Sequence, residues 1–205
     1  MSAVRISSSF DAGAITVVSA EQHSDIQLKI RPDNASEFAQ WFYFRMHDVN
    51  GLALKLRFLD MDKTAYPSGW EDYQVVASYN RREWFRVPTQ LKGNEMHVHF
   101  TPECNEVYMA YFEPYSYERH LDLIGFANDS ELVSVHHLGQ TIDGRDMTML
   151  KIEDETVNDS GASPKKKVWM IARQHPGETM AEWFVEGFLE RLLDSNDAVA
   201  RSLLK

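Results

Sequence analysis

The sequence predicts an α/β chain with an all-β amino-terminal domain: an antiparallel β-sandwich over residues 1–114, followed by the opening of a mixed-sheet α/β domain over 115–205. Short alternating or aromatic runs, separated by turn residues, follow one another from Ile15 to about Phe112 with no clear helix among them, as the strands of a sandwich do. The pattern changes at Pro114, beyond which helical and strand-like segments alternate in the manner of an α/β layer. Hydrophobic residues make up 43% of the 205 positions, ample for packed cores in one large domain or two modest ones.

In the first part, strands are expected at 38–46, 52–59, 73–78, 96–100 and 107–112. Trp41-Phe42-Tyr43-Phe44 is apolar on both faces, so its strand is expected inside a sheet with its aromatics as core. Asp48-Val49-Asn50-Gly51 predicts a tight hairpin, because Asn-Gly accepts positive φ angles. Lys92-Gly93-Asn94 and Thr101-Pro102-Glu103 predict further turns.

Beyond Pro114, Ser116 is placed to cap a helix running to about Ala127, with Leu121, Ile124 and Tyr117 on its buried side. Strands at 132–138 and 147–152 flank a turn at Asp143-Gly144, and the polar segment 153–163 predicts a surface loop. A strand at 168–172, a tight turn at His175-Pro176-Gly177-Glu178 and an amphipathic helix over 179–193 come next. Asp197 is expected to cap one more helix, and no internal repeat or low-complexity tract occurs.

A formal net charge of −10 argues against general nucleic-acid binding, and Lys165-Lys166-Lys167 reads as a solvated strand entry. No run of about 18 apolar residues is present to span a membrane, and the amino terminus carries no signal-type apolar run. The single cysteine, Cys104, excludes an internal disulfide and fits a reducing compartment. The expectation is a soluble cytoplasmic protein with neither nucleic-acid nor membrane partners.

The chemistry concentrates at His175 and Glu178. A neutral imidazole and a carboxylate are ligands suited to zinc, and at a strand-to-helix corner two such residues three apart turn toward one point. Pro176 fixes one φ angle, and Gly177 is expected to supply a conformation closed to other residues, making the corner rigid. Spacing alone also fits a plain helix start, with Glu178 near the positive helix end. His97 and His99 share a strand face and form a geometrically fair metal pair, but in the β portion an exposed or cross-strand role is expected of them. His136 and His137 point to opposite faces, and His23, His47 and His120 have no ligand-type neighbour at useful spacing. Glu182 and Glu186 are expected on a solvated helix face.

The segment Ala172-Arg173-Gln174-His175-Pro176-Gly177-Glu178-Thr179, followed by Trp183, Gly187-Phe188-Leu189 and Leu192-Leu193, resembles the first zinc-ligand motif of the cytosolic carboxypeptidases. These are a subfamily of the carboxypeptidase A-like zinc metallopeptidases. Leu138-Gly139-Gln140-Thr141-Ile142-Asp143-Gly144-Arg145, with Met147 and Leu150-Lys151-Ile152, is similar to the hairpin that opens the catalytic domain of the wider family. Ala110-Tyr111-Phe112-Glu113-Pro114-Tyr115-Ser116-Tyr117 and Trp41-Phe42-Tyr43-Phe44-Arg45 resemble hallmarks of the subfamily's amino-terminal β domain. Pro176 and Gly177 stand where the wider family includes an arginine, which favours the subfamily.

The resemblance implies a zinc metallocarboxypeptidase acting on the carboxy-terminal tail of a peptide or protein, with one Zn2+ per complete catalytic domain. His175 and Glu178 would be two of the ligands, and the third a histidine on a later strand. The general-base glutamate and the arginine that grips the substrate carboxylate would also lie downstream. No catalytic residue is then expected within this chain, Arg145 has a structural role, and the 205 residues form a truncated, inactive first part of the enzyme. Two alternatives stay open: a zinc deacylase of acyl-amino acids, which the preceding β domain argues against, and a non-catalytic binding module if the natural chain ends at Lys205.

Overall fold

Alternation of apolar and polar residues lays down two five-stranded sheets before Pro114. In spatial order the first holds β1 (Arg5–Ser7), β4 (Tyr43–His47), β10 (Glu106–Ala110), β6 (Val76–Ser78) and β7 (Phe85–Arg86). The second holds β2 (Thr16–Ser19), β3 (Ile26–Lys29), β5 (Leu54–Phe58), β9 (Glu95–Phe100) and β8 (Thr89–Lys92). The computed structural model describes residues 4–154 and 166–204, in two compact units, Met1–Pro114 and Tyr115–Lys205.

The period of two sorts each strand's side chains between faces. Phe44 and Met46 of β4, Val107 and Met109 of β10, Leu56 and Phe58 of β5, and Met96 and Val98 of β9 are all fully buried in one core. Phe58 lies 4.8 Å from Phe42 and 6.2 Å from Phe44, ring centroid to ring centroid, joining the two sheets. Each such side chain contributes about 1.5–3 kcal/mol by leaving water. Tyr43, on the opposite face of β4, is buried too, with Phe10 at 4.9 Å and Trp84 at 5.9 Å. Both faces of the aromatic strand are therefore covered, and β4 lies between two neighbours, as its composition requires. On the outer face of the second sheet, Arg57 bridges Glu95 (2.7 and 2.9 Å) and Asp25 (3.0 Å).

Two local expectations are corrected in this unit. The ladders are antiparallel except for β3 with β5, which is parallel. Residues 48–51 do not close a hairpin, because β4 and β5 belong to different sheets. Asp48 and Gly51 do take positive φ angles, 61° and 71°, but Val49 between them is fully buried and its N–H donates to the Asn105 carbonyl (3.3 Å). The buried side chain carries the chain across the end of the core instead of back along one sheet. Residues 101–103 likewise connect β9 to β10 in the other sheet. A true hairpin occurs at Gly93-Asn94, where Lys92 pairs with Glu95 and Gly93 has φ 62°.

The second unit opens with α1 (Tyr117–Asn128), whose cap is Ser116: its hydroxyl accepts from the Arg119 N–H (3.1 Å). The helix buries Leu123 and Ala127, one turn apart, toward β11 (Val133–Gln140), whereas Leu121, expected inside, is exposed. β11 pairs antiparallel with β12 (Asp146–Ile152) through a bulge at His137/Gly139, and Gly144 in the connecting turn has φ 75°. α2 (Met180–Leu192) and α3 (Ala198–Leu203) follow, and Asp197 caps α3 by accepting from Val199 (2.8 Å) and Ala200 (3.0 Å).

The expected strand at 168–172 has no ladder partner among the described residues, and Val168 and Trp169 are 87% and 77% exposed. Apolar β-prone residues mark a segment suited to a sheet, but a strand exists only where a neighbour supplies the hydrogen bonds. The loop expected at 153–163 falls outside the described residues beyond Asp154. Among the described residues no helix is long and apolar enough to cross a membrane.

Candidate metal centre

The corner leading into α2 is shaped by its backbone. Arg173 has a left-handed φ of 55°, which reverses the chain just before His175. Gly177, expected to carry such a conformation, is not among the residues with positive φ. The Glu178 N–H donates to the His175 carbonyl (3.0 Å), and a turn of that kind entered through proline needs no positive φ at the following residue. α2 starts directly afterwards, the Ala181 N–H donating to the Glu178 carbonyl (3.1 Å). Thr179 stands at its N-cap without making a cap bond, and its hydroxyl is buried with no partner among the described residues.

This geometry turns the His175 and Glu178 side chains toward each other. His175 Nδ1 lies 3.1 Å from Glu178 Oε1, and the side chains are 78% and 53% exposed. Two ligands about 2.0–2.2 Å from one tetrahedral zinc stand about 3.4 Å apart, close to the spacing found here. The donor set therefore fits two positions of a zinc site, one neutral nitrogen and one anionic oxygen, open to solvent. As a bare surface ion pair the same contact stabilises the fold by only about 0–1 kcal/mol.

Behind the corner stands a polar cluster. The Arg173 guanidinium donates through Nε to the Pro176 carbonyl (3.1 Å) and through Nη1 to the Tyr115 carbonyl (2.9 Å) and the Glu182 carboxylate. Glu182 also faces His120 Nδ1 at 3.2 Å. One turn on, Glu186 accepts from the Tyr115 hydroxyl (2.7 Å) and from Arg119 (Nε, 2.7 Å), and Arg119 stacks over the Trp183 ring at 4.1 Å. The side chains of Glu182 and Glu186 are only 16% and 15% exposed, so the expectation of a solvated face is corrected: that face of α2 carries the charge contacts to α1.

Electrostatics follow from those contacts. Burial pushes the Glu182 carboxyl up, but hydrogen bonds from His120 and Arg173 together outweigh it and hold the carboxyl below its ordinary value. The Arg119 hydrogen bond holds Glu186 low against burial, with Tyr115 assisting. The Tyr115 hydroxyl is pushed well up by burial and by its bond to the Glu186 carboxylate.

The remaining histidines go elsewhere. His97 bonds Glu95 (3.0 Å), His47 pairs with Glu106 (3.0 Å), His136 meets Ser134 (3.2 Å) and His137 meets Asp146 (3.3 Å). His99 is exposed opposite Lys55 on the neighbouring strand. Among the described residues no group of three or more His, Cys, Asp or Glu could hold a metal ion. The sequence reading left out Arg173 and did not foresee that Glu182 and Glu186 form a charged cluster behind the corner. A signal was available: α2 is apolar around most of its circumference, and Glu182 and Glu186, one turn apart, interrupt that surface on one side.

Comparison with known proteins divides the chain in the same order. Residues 6–112 match the cytosolic carboxypeptidase N-terminal domain, and residues 121–205 match the zinc carboxypeptidase family. An uncharacterized protein of Zymomonas mobilis is 42% identical over 98% of this chain and 50% of its own length. The crystal structure of a metallo-carboxypeptidase from Burkholderia cenocepacia is similar with a TM-score of 0.91 and 48% identity, over 98% of this chain and 53% of that one. A metallo-carboxypeptidase from Pseudomonas aeruginosa, solved in complex with (2-guanidinoethylmercapto)succinic acid, is similar with a TM-score of 0.85 and 42% identity, over 98% of this chain and 52% of that one. The chain spans about half the length of these relatives.

Proposed function

Because this chain belongs to the cytosolic carboxypeptidase family of zinc carboxypeptidases, we propose that it supplies the amino-terminal β domain and the first metal-binding corner of a metallocarboxypeptidase. The substrate class is the carboxy-terminal tail of a peptide or protein, and the reaction is hydrolysis of its last peptide bond. The observation that carries the reading is the 3.1 Å approach of His175 Nδ1 to Glu178 Oε1 on an exposed corner. The succinic acid derivative held by the Pseudomonas relative, itself a carboxylate, supports a substrate that ends in a carboxylate.

In this mechanism His175 and Glu178 would hold one Zn2+ together with a further protein ligand. When bound, zinc would supply a water acidic enough to serve as the nucleophile near neutral pH. Two protein ligands hold zinc weakly, so the 205 residues alone are proposed to be inactive, with the third ligand, the general base and the substrate-binding arginine supplied by residues outside them. A cytoplasmic setting agrees with the family's description and with a single exposed, unpaired thiol at Cys104.

The test compares the 205-residue chain with the same residues joined to the second half of the Burkholderia relative. Zinc content after dialysis and hydrolysis of blocked dipeptides and glutamate-tailed peptides are measured for both. Stoichiometric zinc and activity are expected only in the joined protein, and both are expected to vanish with His175→Ala. Activity that survives His175→Ala, or full zinc occupancy in the short chain, overturns the assignment.

A further inference from the structure

We propose that Arg173 is a positioning residue for the metal corner: its guanidinium clamps the turn that carries His175 and Glu178 and ties that turn to α2. This rests on the metal reading of those two residues and adds the element that keeps their donor atoms together.

The two side chains are exposed, so packing around them does not fix their geometry. The backbone that bears them is fixed from the inner side. The Arg173 Nε bond to the Pro176 carbonyl sets the peptide plane in the middle of the turn, between the two ligand residues. The Nη1 bonds to the Tyr115 carbonyl and the Glu182 carboxylate anchor the same guanidinium to the segment before α1 and to the first turn of α2. The His175 carbonyl to Glu178 N–H bond closes the turn across its ends. A planar fork with donors on two edges is needed to reach these three acceptors together, and lysine has no such fork.

A second observation points the same way. A side chain other than glycine at φ 55° is strained by about 1–3 kcal/mol, and such strain persists where surrounding contacts over-determine it. At Arg173 glycine would relieve the backbone, and the three guanidinium bonds offset that strain. Groups that orient metal ligands from behind typically change metal affinity about 10–100-fold when replaced.

The experiment is a Co2+ titration of the 205-residue chain followed by NMR, reading the paramagnetic shifts of the His175 ring protons. Wild type is expected to show saturable shifts, and His175→Ala to remove them. Arg173→Lys, which keeps the charge and loses the fork, is expected to raise the apparent Kd about tenfold or more. Arg173→Gly, which relieves the strain, is expected to fold at least as well and to bind Co2+ as weakly as Arg173→Lys. Arg191→Lys alters an ion pair with Asp197 at the far end of α2 and is expected to leave the Kd unchanged. Dispersed amide spectra identify variants that have folded. If wild type shows no His175 shift, the metal reading fails and the positioning role with it. If wild type binds and either folded Arg173 variant binds equally well, the positioning role alone is overturned and the metal reading stands.

Discussion

Replacing Glu182 by glutamine keeps the side chain's shape and removes its charge. The charge-assisted contacts with Arg173 and with His120 Nδ1 (3.2 Å) are weakened together. A hydrogen bond to a charged group contributes about 1.5–3 kcal/mol net, so two would sum to several. Arg173 and His120 are 22% and 31% exposed, however, and water recovers part of the loss at each. Arg173 also keeps its two carbonyl acceptors, Tyr115 and Pro176. The expected destabilisation of the second unit is therefore about 2–3 kcal/mol, below the full sum of two such bonds. Two compact units need not unfold together, so the measurement is native-state amide exchange within α2 rather than a global melt. Exchange there should accelerate about 30–150-fold, since 1.4 kcal/mol corresponds to a factor of ten. Glu178→Gln serves as the control: its pair with His175 is exposed, and the expected effect on stability is within about 0.5 kcal/mol. Equal exchange rates in α2 for the two variants would refute the claim that Glu182 ties the helix down.

The carboxyls of Glu182 and Glu186 are held below the ordinary 4.5, so on acidification the unfolded chain takes up their protons first. Their stabilising contribution is thus fully present above about pH 4.5 and lost as pH falls through the folded values; the second unit should loosen on that limb, and the double variant Glu182→Gln/Glu186→Gln should flatten it. Thr179→Val removes a buried hydroxyl that has no partner among the described residues while preserving shape, and is expected to stabilise α2 by about 1 kcal/mol in the same exchange assay; faster exchange would show that the hydroxyl is satisfied in solution. Phe58→Ala deletes the ring between Phe42 and Phe44 at the centre of the sandwich and should cost about 3–5 kcal/mol by urea unfolding of the first unit, with a loss under about 1 kcal/mol contradicting the core assignment.

What the sequence determined by itself lies within a turn or two of chain. Ser116 and Asp197 cap their helices through bonds to backbone donors two or three residues ahead, which their identity and position were enough to predict. His175 and Glu178 come together because a tight turn brings residues three apart within reach, whatever surrounds it. The burial of Phe44, Met46, Leu56 and Phe58 follows from a period of two that can be read directly. Tertiary structure decided which partner each element takes. Residues 48–51 have hairpin composition, yet the chain crosses to the other sheet there because Val49 is buried, and β3 lies parallel to β5 although the sequence marks no direction. The apolar segment 168–172 shows the same division: its residues suit a sheet, but among the described residues none pairs with it. The polar cluster behind the candidate corner was equally hidden, since Arg119 meets Glu186 across 67 positions and Arg173 reaches Tyr115 across 58. Periodicity and capping are local properties of a chain, whereas a charge or a strand edge finds its partner only when distant segments are brought together, and nothing at either position names the other.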